Sequence, residues 1–189
     1  TDRIGRNSDS SRYAWCGMIF GDEPRAAYMA MCALFLQPQG AWVFDGYKPE
    51  FAPPYHLDTA VDLMSKVGLR MSTNLPPRTS LEDWRDRSRF GVSADFIHVN
   101  SSGLARFFDL NPGRGYPSDV PPLLRPAIVH FIHSFSAQHI GDTNTVGGRW
   151  LENGVYAYVG SMEEPFLSAF LPAQSIVARL YSRAPWGAA

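Results

Sequence analysis

The sequence predicts an α/β domain, a three-layer α/β/α sandwich around a mainly parallel central sheet. Short apolar runs with strand character alternate along the chain with segments whose apolar residues recur at helical spacing. Several runs are apolar on both faces, which is typical of strands buried between two layers of helices. Strand–helix–strand connections of this length normally give parallel, right-handed pairing, so we expect a parallel sheet.

The first third of the chain reads as a strand, a helix and a second strand. Residues 13–20 form an apolar run that we predict to be a strand. Acidic residues and Pro24 then favour a helix start, and apolar residues follow at helical spacing as far as Phe35. Residues 41–44 are the next predicted strand, which ends at the turn Asp45-Gly46.

Two helices are predicted in the middle of the chain. Residues 57–67 carry one apolar face, and Gly68 is a typical C-terminal stop. Residues 69–72 are compatible with a short strand between the helices. Ser80 and Asp83 form a capping pair that predicts the start of a short helix.

The second half carries further apolar strands, predicted at residues 94–99, Ala127–Ile132 and Val155–Val159. Between the first two, residues 104–125 are rich in proline, and we predict a long irregular connection of functional importance. A short helix is predicted at residues 144–153. Residues 160–165 are predicted to lead into a final helix that runs through Arg183.

The bulk composition excludes several classes of protein. Apolar residues make up 45% of the chain and charged residues 19%, a balance typical of a folded globular domain. The net charge is −1 and the isoelectric point is near 6.5, so no basic excess favours nucleic acid as a partner. No apolar run approaches the roughly 18–20 residues that span a bilayer, and we expect no membrane partner.

Residues 1–12 are a polar N-terminal arm without the apolar core of a signal peptide, and residues 13–189 are predicted to form a single domain. We therefore expect a cytoplasmic protein, or a part of a longer one, of undetermined oligomeric state. Cys16 and Cys32 are interpreted as buried, reduced, structural thiols. His130 and His133 would face opposite sides of a strand, so we predict no metal site, and no motif predicts a cofactor.

Small polar residues and glycines concentrate where the predicted strands end. In open parallel sheets, ligands bind beyond the carboxyl ends of the strands. The ligand-binding candidates are therefore Asp45, Asn100, Ser101, Ser102, Gly103, Ser136, Ser161, Glu163 and Glu164.

Ser134 is the candidate nucleophile, because a hydroxyl at a strand end is exposed where a substrate would bind. His133 or His139 is the candidate base, and Asp142 could orient His139. Adjacent strand residues point apart, which disfavours His133 unless the backbone bends. The alternative is structural, with Ser134 and Ser136 satisfying backbone groups at the strand end.

The Asn100–Gly103 segment supports a second hypothesis, a flavodoxin-like module that holds a small anion through backbone N–H groups. Its alternative is a polar turn with the glycine at positive φ. Glu163 and Glu164 could bind a basic group of a ligand, or could instead start the final helix.

Three segments together resemble the caspase–gingipain type of cysteine peptidase. They are ADFIHV-NSSG, AIVHFI-HSFSA and GRWLENGVYAYVGSMEEPF. In that family one apolar strand ends in the catalytic His and the next ends in the catalytic Cys. The resemblance extends over residues 13–183 in topology and is specific over residues 94–166, and it implies a caspase-like α/β fold.

Both catalytic residue types are missing at the matching positions. Ser101 or Ser102 stands where the family has its His, and Ser134 stands where it has its Cys. The resemblance therefore implies a catalytically degenerate peptidase-like domain, without a cofactor, that binds a ligand, peptide or protein partner at the strand ends. An active serine hydrolase using Ser134 with His133 or His139 is the competing hypothesis.

Overall fold

The structure is a computed structural model that describes residues 6–11 and 23–182 of the chain. The strand predicted at residues 13–20, with Cys16, lies outside the described residues. So do the first residues of the polar arm and Arg183, the predicted end of the last helix.

Five parallel strands form the central sheet: β1 (Gly40–Asp45), β2 (Arg70–Asn74), β3 (Phe96–Asn100), β7 (Ala127–Ile132) and β8 (Val155–Val159). Across the sheet their order is β2-β1-β3-β7-β8. The helices are α1 (Glu23–Ala33), α2 (Asp58–Lys66), α3 (Leu81–Ser88), α4 (Val146–Glu152) and α5 (Ala173–Tyr181). The predicted strands at residues 94–99, 127–132 and 155–159 are confirmed to within one or two residues.

Helices cover both faces of this sheet, which confirms the three-layer α/β/α class. On one face, Trp84 of α3 and Trp150 of α4 are buried against strand residues such as Trp42 and Phe131. On the other face, residues of α2 and α5 pack on the small side chains of β1. The three inner strands β1, β3 and β7 bury alternate residues in one layer or the other, which explains why their sequences are largely apolar on both faces.

The strand order places a crevice between the ends of β1 and β3. The chain runs from β1 to β2 on one side and then returns to β3 on the other side. When the five strands of this sheet are numbered by themselves, with β7 as the fourth and β8 as the fifth, their order is 2-1-3-4-5. This is the order of flavodoxin-like sheets, in which ligands bind where the direction of winding reverses.

A second, three-stranded antiparallel sheet occupies part of residues 102–115, where the sequence predicted an irregular connection. It consists of β4 (Ser102–Leu104), β5 (Phe107–Leu110) and β6 (Gly113–Gly115). Phe108 of β5 holds it on the central core, with ring centroids 4.9 Å from Trp84 and 5.9 Å from Phe131. The strands are three or four residues long and rich in glycine, too short for a visible alternation.

The final helix begins later than predicted. Residues 160–172 form a loop with one turn of 3-10 helix at Leu167–Ala169, and α5 starts at Ala173. Pro172 directly precedes α5, and its carbonyl accepts from the amides of Ser175 and Ile176, which start the helix. The acidic pair Glu163 and Glu164 therefore lies in the loop and does not start the helix.

Candidate functional site

The ends of β3 and β7 enclose a cavity of about 290 Å³, which we call the strand-end cleft. Its lining residues are Tyr47, Phe51, Ser101, Ser102, Gly103, Ser134, Glu164, Pro165, Leu167 and Phe170. The structure thus brings together the two strand ends selected from the sequence and adds a largely apolar wall from the loop before α5.

Ser134 lies in this cleft, but its hydroxyl is bonded to a carboxylate. The hydroxyl donates to Oε1 of Glu164 over 2.8 Å. A nucleophilic serine normally needs an imidazole within hydrogen-bond reach to take its proton. Among the described residues, no hydrogen bond joins Ser134 to a histidine ring.

His133 is buried beneath the cleft and does not line it. Its ring stacks on Phe131 at 5.0 Å, and neither ring nitrogen makes a hydrogen bond of ordinary geometry. Burial lowers the pKa of His133 to about 4, although the Phe107 carbonyl and the charge of Asp109 oppose the shift. The ring is therefore neutral near pH 7, and it faces the core on the side of Gly103.

His139 is exposed on the turn that follows β7, and it does not line the strand-end cleft. Asp142, its predicted orienting partner, accepts hydrogen bonds from the backbone and side chain of Asn144 instead. Arg106 is a more distant partner of that carboxylate, at 3.9 Å. The structure therefore assembles no Ser134–His139–Asp142 relay.

Asn100 and Ser101 direct their polar groups into the protein. The Asn100 side chain donates to the Tyr55 carbonyl at 2.9 Å and accepts from the Tyr47 amide at 3.3 Å. The Ser101 hydroxyl lies 2.8 Å from the Ser102 carbonyl and 2.7 Å from the Asp109 carbonyl, and its one hydrogen is shared between these two acceptors. Of the predicted anion loop, only Ser102 and Gly103 present a sizeable surface to the cleft, and the carboxylate of Glu164 in the same cleft disfavours an anion.

Asp45 is buried and fastens the loop that follows β1. Its carboxylate accepts from the amides of Tyr47 and Leu57 and lies 2.8 Å from Nδ1 of His56. Nε2 of His56 lies 3.1 Å from the Pro49 carbonyl, so both ring nitrogens face acceptors and both donate in the protonated ring. Burial lowers the pKa of His56, but Asp45 and Pro49 outweigh it and the net shift is upward.

Ser136, Ser161 and Glu163 shape the loop beside the cleft. The Ser136 hydroxyl is buried and accepts from the Ser161 amide at 3.3 Å. The Ser161 hydroxyl closes a local turn with Glu163, whose carbonyl accepts from the Phe135 amide. These residues position Glu164 without lining the cleft themselves.

The turn after β7 contains an unusual backbone conformation at Phe135, whose φ is 59°. Bulky residues rarely adopt this left-handed region, and such strained residues cluster at functional sites. The conformation lets the Phe135 amide reach the Glu163 carbonyl at 3.1 Å, which ties the turn to the loop that carries Glu164.

A neighbouring cavity of about 380 Å³ adjoins the strand-end cleft. It is lined by Gly46, Tyr47, Lys48, Glu50, Phe51, Ser102, Asp109, Leu110 and Asn111. Tyr47, Phe51 and Ser102 line both spaces, and the rings of Tyr47 and Phe51 meet edge to face at 5.0 Å. The two spaces therefore form one groove along the carboxyl end of the sheet.

The sequence did not single out the aromatic and apolar wall of the cleft. Tyr47 follows the predicted turn after β1, and Phe51 lies in a proline-rich loop with no periodic signal. Leu167 and Phe170 were assigned to a helix, where they would read as core residues. Only the proximity of residues 45–51 to the end of a strand could have drawn attention to Tyr47.

Two features are absent from the described part of the chain. No group of three or more His, Cys, Asp or Glu side chains is placed there to hold a metal ion. Within the same ranges, no helix has the length and apolar character needed to cross a bilayer.

Comparison with known proteins adds no relative: no protein-family model, curated protein or solved structure gives a significant match to this chain. The caspase–gingipain resemblance is therefore supported by the quoted segments alone.

Proposed function

We propose that this domain is a catalytically degenerate, peptidase-like module that binds a peptide or protein partner in the strand-end cleft. The observation that carries the proposal is the Ser134–Glu164 hydrogen bond. It puts a carboxylate, and no imidazole, beside the hydroxyl that stands at the nucleophile position of the resembled family.

The chemistry of the cleft favours a ligand with one cationic group and an apolar body. Glu164 is exposed, and its hydrogen-bond partner among the described residues is the neutral Ser134. Phe51, Leu167 and Phe170 supply apolar surface around it. A Lys or Arg side chain can place its charge on such a carboxylate while its aliphatic stem packs on the apolar wall.

Peptide titration tests the binding part of the proposal. We expect the capped peptide acetyl-Ala-Arg-Ala-amide to bind more tightly than acetyl-Ala-Glu-Ala-amide. Glu164→Gln should weaken the arginine peptide about fivefold, the order expected for an exposed charge pair. Glu163→Gln is the matched control, because Glu163 is also exposed but does not line the cleft. Equal weakening by both variants, or equal binding of both peptides, would contradict the assignment.

Activity-based labelling tests the catalytic part. We expect no reaction of Ser134 with a fluorophosphonate probe, because no imidazole activates its hydroxyl. Labelling of the protein that disappears in Ser134→Ala would overturn the degenerate assignment and favour the serine hydrolase.

A further inference from the structure

One side of the strand-end cleft is the free edge of a β-strand. β4 pairs with β5 alone among the described strands, and its residues Ser102 and Gly103 line the cleft. An unpaired strand edge offers a row of backbone donors and acceptors to any extended chain beside it.

The register of the hairpin shows which backbone groups face the cleft. Leu104 pairs with Phe107 across the two-residue loop 105–106, and Gly103 pairs with Phe108. Residues that flank a two-residue loop form a hydrogen-bonded pair, and the next pair along the ladder does not. The N–H and C=O of Gly103 therefore point away from β5, towards the free edge.

Gly103 is held at this position by its contacts with β5 and the core. Its φ is 151°, and a Cβ at this position would overlap Nε2 of His133 and the Phe107 carbonyl. The residue must therefore be glycine, because those two groups fill the space that a side chain would need. Glycine within a strand often marks a place where another backbone approaches closely, and here that backbone belongs to β5.

We infer that the partner is an extended polypeptide segment, which adds as a strand to the free edge of β4 and places a Lys or Arg side chain on Glu164. The inference rests on the proposed function and specifies its ligand. Addition of a strand to an exposed edge is a general mode of peptide recognition, in which backbone bonds supply affinity and alternate side chains supply specificity.

The groove has the dimensions and charge for such a segment. Side chains two residues apart on a strand lie about 7 Å from each other on the same face. Ser102 of β4 borders both the strand-end cleft and the neighbouring cavity, so a segment running along this edge passes both. Glu164 in the strand-end cleft favours a basic residue at one of these positions, whereas the neighbouring cavity is lined by Lys48, Glu50 and Asp109 and has no excess of positive charge.

The test is a scan of backbone N-methylation. The parent probe is acetyl-Ala-Ala-Arg-Ala-Ala-amide, and each of five analogues carries one N-methyl group. Binding to the uniformly ¹⁵N-labelled chain is followed by amide chemical shifts, and agmatine serves as a probe of the cationic group alone. The glycines of β6, on the opposite edge of the small sheet, are the internal control.

Strand addition predicts an alternating pattern. Every second analogue should lose affinity by about three- to tenfold, because alternate amides of an added strand face the edge. The Gly103 amide should shift with the parent peptide, while the amides of Gly113 and Gly115 should not.

Two other outcomes separate this inference from the proposed function. If agmatine and all analogues bind and shift Ser134 and Glu164 without alternation, the strand addition is wrong and the cationic cleft stands. If neither agmatine nor any peptide shifts these residues, both proposals are wrong.

Discussion

Acidification should destabilise this fold through two buried histidines, His130 and His133. Burial lowers the pKa of both to about 4, from an ordinary value of 6.5. Below pH 6.5 the unfolded chain takes up protons that the folded chain excludes. The free energy of unfolding therefore decreases as the pH falls, and it keeps decreasing until the pH passes the folded pKa.

The size of the effect follows from the two pKa values. A histidine with a folded pKa near 4 and an unfolded pKa near 6.5 loses about 2 kcal/mol of stability between pH 7 and pH 5. His130 lies in β7 and His133 follows its end three residues later, so the two side chains point to opposite faces of the sheet and the losses should add to about 4 kcal/mol. A domain is normally stable by about 5–15 kcal/mol, which makes this a large part of the total.

Urea unfolding, followed by tryptophan fluorescence at pH 7 and pH 5, measures the loss. In His133→Leu the loss should shrink by about 2 kcal/mol. At pH 7 this variant should be as stable as the parent or more so, since apolar groups replace two unpaired ring nitrogens. His139→Asn is the control, because His139 is exposed with a φ of 51°, a conformation that asparagine tolerates.

The comparison between variants is decisive, because other histidines contribute as well. Burial and the neighbouring His130 also lower the pKa of His98, which adds to the loss. The raised pKa of His56 acts in the opposite direction. If His133→Leu loses as much stability between pH 7 and pH 5 as the parent, the reasoning about His133 is refuted.

Two further predictions concern Gly148 of α4 and Asp45 at the end of β1. A Cβ at Gly148 would overlap the Asp142 carbonyl, so Gly148→Ala should lower the free energy of unfolding by about 2 kcal/mol. Gly141→Ala is the control, because its Cβ meets open space and should change the free energy of unfolding by less than about 0.5 kcal/mol. Equal melting temperatures of the two variants would contradict this prediction. Asp45→Asn should cost about 2 kcal/mol near pH 6, because it weakens three hydrogen bonds of a buried carboxylate. Because the pKa of His56 is raised in the folded chain, its protonated ring stabilises the fold below pH 6.5, and this contribution is lost as the pH rises through the folded pKa. The cost of Asp45→Asn should therefore shrink between about pH 6 and about pH 8. A cost that stays constant with pH in urea titrations would count against the His56–Asp45 pair.

The central sheet was predictable because its strands carry a strong local signal. Ala127–Ile132 is an apolar run interrupted by His130 alone, and the structure buries all six of its residues. The capping pair Ser80 and Asp83 likewise marked the start of α3, where both reciprocal hydrogen bonds form. In these segments local propensity and burial in the fold favour the same conformation.

The small sheet and the loop before α5 were not predictable by the same means. Strands as short as β4 and β6 complete no alternating pattern, and long-range contacts such as Phe108 on Trp84 hold them in place. Pro165 and Pro172 separate Glu164 from the helix that the acidic pair had suggested. The residues of the short strands and the two prolines are visible in the sequence, but their structural effect depends on contacts with residues that are distant along the chain.

The location of the site followed from a rule of topology, whereas its chemistry depended on contacts. Parallel strands end at one edge, so Ser102 and Ser134 were expected to be neighbours, and they line one cleft. The sequence did not show which of these polar side chains would be free to contact a ligand. Asn100 is engaged by two backbone groups, and Glu164 rather than a histidine reaches Ser134.

The pairing of β3 with β7 sets His98 directly opposite His130, with their Nδ1 atoms 3.4 Å apart. Two neutral imidazoles can bond in this way only when one nitrogen carries a hydrogen and the other does not. Nε2 of His98 is buried without a partner, and an unpaired acceptor is tolerated more readily there than an unpaired N–H. The arrangement with Nδ1–H on His98 and Nε2–H on His130 is therefore favoured, and in it the two facing histidines of β3 and β7 are different tautomers.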